Sequence, residues 1–497
     1  MPNHLLKYYT FHDEFPEQKI SKEFCNITVQ DIIKTYTKES IFRTMSSLAQ
    51  AIGLSNDFNE LTAFLEKEFG IPKTLKAVII HRQAICVIYQ FLFSLNKDGF
   101  GNESQIPKND VFLLFILANQ LTEFVEYERM KITASIPKKI FFANIKEIHF
   151  TNNRVDLQAG FYLFKKYYSL IIQLNKEEYN NVITKMFGFE IEEYIKILEL
   201  IEERNYTEIF SLFDKYAVLD FNDSNQLWNE RKLKLPIPNE MPFIQKYPMI
   251  KIEKDYLIVD LHSLFSSLFK NLYRTLIEYD NISFKGEFGK KIVEPTIIDL
   301  ITETFVDSHV KTLKVGSRKF EYGDFGLLHN DCIFLFEIKS SLLNDASIYT
   351  NRYDIFMKIF NDKFVKKEGI KQQVTKIQLI ENNFEHFCSL SKIPPKRYTI
   401  YPILLSFDES LMSFACNWYL SMRFEVFKRI CKLKISKFDI ACSHSTLTFN
   451  EIFRMRYVDK TPSERLQLLK QYSDDQNKNP IPFSFYLQEL NEFTIAK

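Results

Sequence analysis

The sequence predicts a two-domain protein of mixed class: an α-helical N-terminal region over residues 1–240, then an α/β domain over 250–497 with a mixed central sheet flanked by helices. Three observations lead there. A chain of 497 residues is longer than one ordinary hydrophobic core supports. Apolar residues in the first half recur at helical spacing. Beyond a proline-rich stretch at 232–250 the pattern changes to short apolar runs between amphipathic ones. With 48 Phe and 25 Tyr the chain has ample material for buried cores, which excludes intrinsic disorder.

In "ESIFRTMSSLAQAIGL" the residues Ile41, Met45, Leu48 and Ile52 form one stripe, with Gly53 placed to end the helix. In "NDFNELTAFLEKEFGI" Asp57 is a candidate N-cap with Glu60 three residues on, Phe58, Leu61, Leu65 and Phe69 make the apolar face, and Gly70 closes it. The uncharged runs "QAICVIYQFLFSLN" (83–96) and "VFLLFILANQL" (111–121) are too short to span a bilayer and read as buried helices. "KKIFFANIKEIHFTNN" suits a short strand pair, and an amphipathic pattern then runs to about residue 219. Pro236, Pro238, Pro242 and Pro248 forbid a continuous helix and mark the domain boundary. Two short strands around Glu253 to Asp255 and a helix from about Leu261 follow.

Lys+Arg at 64 against Asp+Glu at 63 leaves the chain almost neutral, so any basic surface must be local. The seven Cys lack C-x-x-C pairs, and Cys442 with His444 has no second half of a zinc site, so the cysteines read as reduced core thiols. No basic start followed by an apolar stretch opens the chain, and a cytoplasmic protein without membrane partners is expected. Asp324-Phe325-Gly326 spells DFG, but no glycine-rich phosphate loop or H-R-D motif accompanies it, which excludes a kinase. No G-x-x-x-x-G-K-[ST] motif is present either. His262, His329, His386 and His444 read as ordinary polar or core histidines, and Trp228 and Trp418 as core residues.

The stretch "EYGDFGLLHNDCIFLFEIKSS" (321–341) carries the chemistry. If "GDFGLLH" and "CIFLFEIK" are antiparallel strands joined at Asn330-Asp331, Asp324 falls opposite Glu337, and Lys339 shares their face. Phe334, Phe336 and Ile338 occupy the other face. Two opposed carboxylates are destabilising unless something positive lies between them, and Mg²⁺ prefers such hard oxygen ligands. Lys339 beside the metal would position the attacking water or stabilise a pentacovalent phosphate.

Asp324 followed by Glu337-Ile338-Lys339 resembles the PD-(D/E)XK nuclease superfamily, which includes restriction endonucleases, with Gly323 where the family name has proline. "FKGEFGKKIVEPTIIDLITETF" resembles the first core helix, whose metal-site glutamate would be Glu287 or Glu294, with Pro295 suited to a first helical turn. "KKEGIKQQVTKIQLI" resembles the helix after the E-x-K strand, with Gln373, and Gln372 second, as its substrate-side glutamine; "RYTIYPILLSF" resembles the next core strand. The resemblance covers about residues 284–407. It implies a restriction-endonuclease-like fold and a Mg²⁺ or Mn²⁺ dependent nuclease, with Asp324, Glu337, Lys339 and Gln373 catalytic and Asp324, Glu337 and an upstream glutamate on the metal. DNA is the expected substrate rather than RNA, because most of the resembled family acts on it.

The run 356–376 carries six Lys among aromatic residues, of which Lys366, Lys367 and Lys371 are candidates for phosphate contact. The helical half would recruit a protein partner or self-associate, a layout that fits defence against foreign DNA. The alternative is a nuclease fold without activity that binds nucleic acid or protein.

Overall fold

In a computed structural model of the chain the described residues are 10–54, 82–132, 218–220, 248–261, 289–340 and 353–475, apart from short internal gaps, with scattered positions elsewhere. The chain divides into two compact units. One comprises residues 1–134, 150–165 and 171–281, the other residues 135–149, 166–170 and 282–497.

The first unit contains helices α1 (Phe11–Glu14), α2 (Lys22–Thr35), α3 (Lys38–Leu54), α4 (Arg82–Ser94) and α5 (Lys108–Ile132). Ser21 caps α2 by accepting the Phe24 N–H at 3.1 Å, and the helix buries Cys25, Val29 and Ile33. On α3 the expected stripe is buried at Ile41, Met45 and Leu48, while Ile52 is half-buried and Gly53 lies inside the helix rather than beyond it. Both apolar runs are helical and largely buried, and no described helix is long and apolar enough to cross a membrane. The helix expected from Asp57, the strand pair near 138–153, most of the segment up to residue 219, Trp228 and the prolines before Pro248 lie outside the described residues.

Strands β1 (Val218–Asp220), β2 (Met249–Ile252) and β3 (Asp255–Ile258) form a small sheet in the order β1-β2-β3. The β2–β3 hairpin stands where the two short strands are expected, but it belongs to the first unit. β1 pairs with β2 in parallel, and the Ile258 N–H donates to Ser46 Oγ of α3 at 2.9 Å. Residues 248–261 thus fall within the first unit.

The second unit opens on a π-helical turn, Gly289–Val293, that runs directly into α6 (Glu294–Phe305). Pro295 stands in the first turn of α6 and has no N–H for the carbonyl four residues back, a defect at which wider π turns occur. Then come β4 (Lys311–Leu313), β5 (Phe325–His329), β6 (Cys332–Lys339), α7 (Tyr353–Asn361), α8 (Ile370–Asn382), α9 (Phe384–Ser391), β7 (Thr399–Ser406), α10 (Phe414–Ile430), β8 (Asp439–Ile440), β9 (Ser445–Thr448), α11 (Phe449–Met455) and α12 (Pro462–Asp475).

The six-stranded sheet runs β4-β5-β6-β7-β8, with β9 continuing along β7 beyond β8. β4, β5 and β6 are antiparallel neighbours, whereas β6, β7 and the β8/β9 edge are parallel, so the sheet is mixed. β6 and β7 are buried along nearly their whole length on both faces, as expected of central strands covered by helices. α6 packs against α11 and α12, and α8 packs against α10.

Two core assignments change. Trp418 is 45% exposed on α10, in line with exposed Phe414 and Met422 at four-residue spacing, and Cys431 at the end of that helix is exposed. Cys25, Cys86, Cys388 and Cys416 are buried free thiols.

Candidate active site

The β5–β6 hairpin has the register expected from its two-residue turn: Phe325 faces Phe336 and His329 faces Cys332. Asn330 takes the left-handed conformation, with φ of 54°, that this turn needs. The ladder ends one pair before Asp324. There the Asp324 N–H donates to the Phe336 carbonyl at 3.0 Å, and carboxylate Oδ2 accepts the Ile338 N–H at 2.6 Å. Asp324 thus reaches the level of Glu337 while its side chain takes over a backbone hydrogen bond. A Cβ on Gly323 would lie 2.6 Å from Leu335 Cδ1, so a larger residue before Asp324 would push on the end of the Leu335 side chain.

Glu337 is 1% exposed, and each of its oxygens meets an ammonium: Oε1 accepts from Lys339 Nζ at 2.7 Å and Oε2 from Lys376 Nζ at 2.7 Å. Burial, reinforced by Asp324, pushes the Glu337 carboxyl above the usual carboxylate range against the pull of the two lysines. Lys376 extends from α8 and also meets Asp324 Oδ1 at 3.0 Å and Glu321 Oε1 at 2.8 Å. Burial would lower its pKa, but the charges of Asp324 and Glu337 outweigh this and raise it above that of an ordinary lysine. The Lys376 hydrogen bond holds Glu321 below the usual carboxylate range. Lys339 donates in addition to Gln372 Oε1 at 3.0 Å.

Glu294, the first residue of α6, is half-buried within electrostatic reach of Asp324, Lys339 and Lys290. Burial first and Asp324 second raise its pKa, with the two lysines opposing. Gly289, at the start of the preceding π turn, brings its backbone against Ser340 at the end of β6. The π turn before α6 therefore lies by the end of the E-x-K strand.

Asp324, Glu337, Lys339 and Glu294 thus come together, joined by Gln372. Gln373 does not join them: one residue along α8 turns the side chain by about 100°. It is 1% exposed, and neither amide atom has a hydrogen-bond partner among the described residues. Glu287 and Lys367 lie outside the described residues. Lys366 and Lys371 are exposed and line a groove of about 640 Å³ with Glu321, Gln372, Thr375 and Lys376.

Sequence reasoning missed two members of the cluster. Lys376 follows Gln372 by four residues and so shares its helix face, and Glu321 precedes Asp324 by three. Lys376 offered a helix-face signal through Gln372, whereas Glu321, in a non-helical segment, offered none.

Asp324, Glu337 and Glu294 supply hard carboxylate oxygens, the donor chemistry that Mg²⁺ and Mn²⁺ take. Among the described residues no three His, Cys, Asp or Glu side chains form a ready-made metal cage. The positive charge around which Glu321, Asp324 and Glu337 gather is the Lys376 ammonium. No protein-family model matches the chain, and no curated protein or solved structure is significantly similar to it.

Proposed function

We propose that this protein is a metal-dependent nuclease that hydrolyses phosphodiester bonds, in DNA rather than RNA, and that it serves in defence against foreign DNA. The observation that carries the reading is the convergence of Glu294, Asp324, Glu337, Lys339 and Gln372 from three elements: α6, the β5–β6 hairpin and α8. Their order, helix, hairpin, helix and then the parallel strand β7, is the order that the resemblance to PD-(D/E)XK nucleases requires.

Asp324, Glu337 and Glu294 would hold Mg²⁺. The ion would supply Lewis acidity to the phosphate and a more acidic bound water. Lys339, oriented by Gln372, would hold the attacking water and stabilise charge on the phosphorane. Water oxygen bonds to phosphorus as the bond to the bridging oxygen breaks, and the products are a phosphate monoester and an alcohol. Lys366 and Lys371 would hold neighbouring phosphates along the groove.

The test compares wild type with Lys339→Ala on supercoiled plasmid, linear duplex and single-stranded DNA and RNA, with Mg²⁺, Mn²⁺ or EDTA. Metal-dependent cleavage lost in the variant is the expected outcome. Cleavage that survives the substitution removes the site.

A second reading has its own observation. An ion cluster closed on Lys376 needs no added cation, which favours a nuclease fold without activity that binds nucleic acid through the lysine groove.

A further inference from the structure

We propose that Lys376 is a built-in counter-cation that competes with the divalent metal for the carboxylates of Asp324 and Glu337, so that metal binds only when its ammonium is displaced. The inference rests on the nuclease reading and specifies how that site is controlled.

The geometry is direct. Lys376 Nζ lies 2.7 Å from Glu337 Oε2, 3.0 Å from Asp324 Oδ1 and 2.8 Å from Glu321 Oε1, three oxygens from three residues. The other Asp324 oxygen accepts the Ile338 N–H, and the other Glu337 oxygen accepts from Lys339. The Asp324 and Glu337 oxygens that Lys376 holds converge on one point, the place where a metal bridging both carboxylates would sit. The Lys376 ammonium could not stay, because two cations at contact distance in a buried site repel strongly.

Lys376 also has somewhere to go. It lines the same groove as exposed Lys366 and Lys371, so an ammonium leaving the carboxylates can meet a phosphate there. A nucleic-acid strand in the groove would then draw Lys376 away from the carboxylates as it arrives. Metal affinity becomes linked to substrate occupancy, and the linkage is reciprocal.

Lys376→Met removes the competing charge and keeps the chain length; Lys376→Gln keeps a neutral hydrogen-bond donor if the methionine variant folds poorly. Full-length wild type and both variants are titrated with Mn²⁺ by calorimetry, and their thermal midpoints are recorded with and without Mn²⁺. The expected result is at least tenfold tighter Mn²⁺ binding in the variants. Their midpoints should fall without metal and recover when it is added, while that of wild type stays put. Equal Mn²⁺ affinity in wild type and both variants, abolished in each by Asp324→Asn, overturns the competition and leaves the nuclease reading standing. If no form binds Mn²⁺, both fail together.

Discussion

A buried glutamate with an ammonium on each oxygen, as Glu337 has with Lys339 and Lys376, holds its charge only through those neighbours. Removing one buried partner of such a cluster costs about 3–5 kcal/mol. Lys376→Met, which strands Asp324 and Glu337 together, should therefore lower unfolding stability by about that amount; urea denaturation without divalent metal measures it, and a loss below about 1 kcal/mol would mean the cluster is solvated. His444 makes a different prediction. It is 1% exposed, stacked on Phe424, and burial lowers its pKa from 6.5 to about 3. The unfolded chain takes up this proton as pH falls through about 6.5, whereas the folded chain stays neutral until about 3. Stability should accordingly be fully present above the upper value and decline by about 1.4 kcal/mol per pH unit below it. Denaturation of wild type and His444→Phe at pH 7 and 5 separates this term from other groups; identical pH slopes would discard it.

The element that matters most to the site is α8, because it carries Gln372 and Lys376 over the face of β6 that bears Glu337 and Lys339. Its start depends on Gly369, where a Cβ would lie 1.9 Å from the Phe364 carbonyl oxygen. The three nearest atoms are all backbone of Phe364, so no flexible side chain can yield. Gly369→Ala should destabilise the second unit by more than about 2 kcal/mol and weaken whatever Lys376 and Gln372 do. Thermal unfolding together with the Mn²⁺ titration of the same variant checks both, and a variant as stable as wild type would show that the α7–α8 connection can be rebuilt. At α11 the Thr448–Glu451 capping box satisfies two helix-start donors reciprocally. That pairing fastens the helix directly to the end of β9, the strand that continues the sheet edge along β7.

On the scale of the whole molecule a formal net charge of +1 provides no general attraction for nucleic acid. On the nuclease reading, binding rests on local charge, and the groove lined by Lys366 and Lys371 is the surface to test. Duplex binding should therefore weaken with salt in proportion to the few phosphates engaged. In Lys366→Glu with Lys371→Glu, affinity should fall and the log–log salt slope should shrink by about two. An unchanged slope in fluorescence anisotropy would move the nucleic-acid surface elsewhere.

Local chemistry made much of the second unit legible beforehand. Asn330-Asp331 between two apolar runs specifies a two-residue turn, and a turn of that length sets the register that brings Asp324 level with Glu337. Pro295 likewise suits a first helical turn and stands in the first turn of α6, since a missing N–H is a property of the residue itself. The neighbouring choice between Gln372 and Gln373 was not legible, because adjacent helix positions differ only in which way they face, and packing against the sheet decides that. Nor could spacing reveal that Lys376 stands among carboxylates 39 to 55 residues away, since ion pairs between separate elements exist only once the elements meet. The same holds for the small sheet. The parallel pairing of β1 with β2 joins residues 218–220 to 249–251, a contact that no local pattern announces. Sequence alone determined the turn, the place of Pro295 in a first helical turn and the facing carboxylates; the tertiary structure decided which lysine neutralises them, because charge compensation across elements depends on distance in space rather than along the chain.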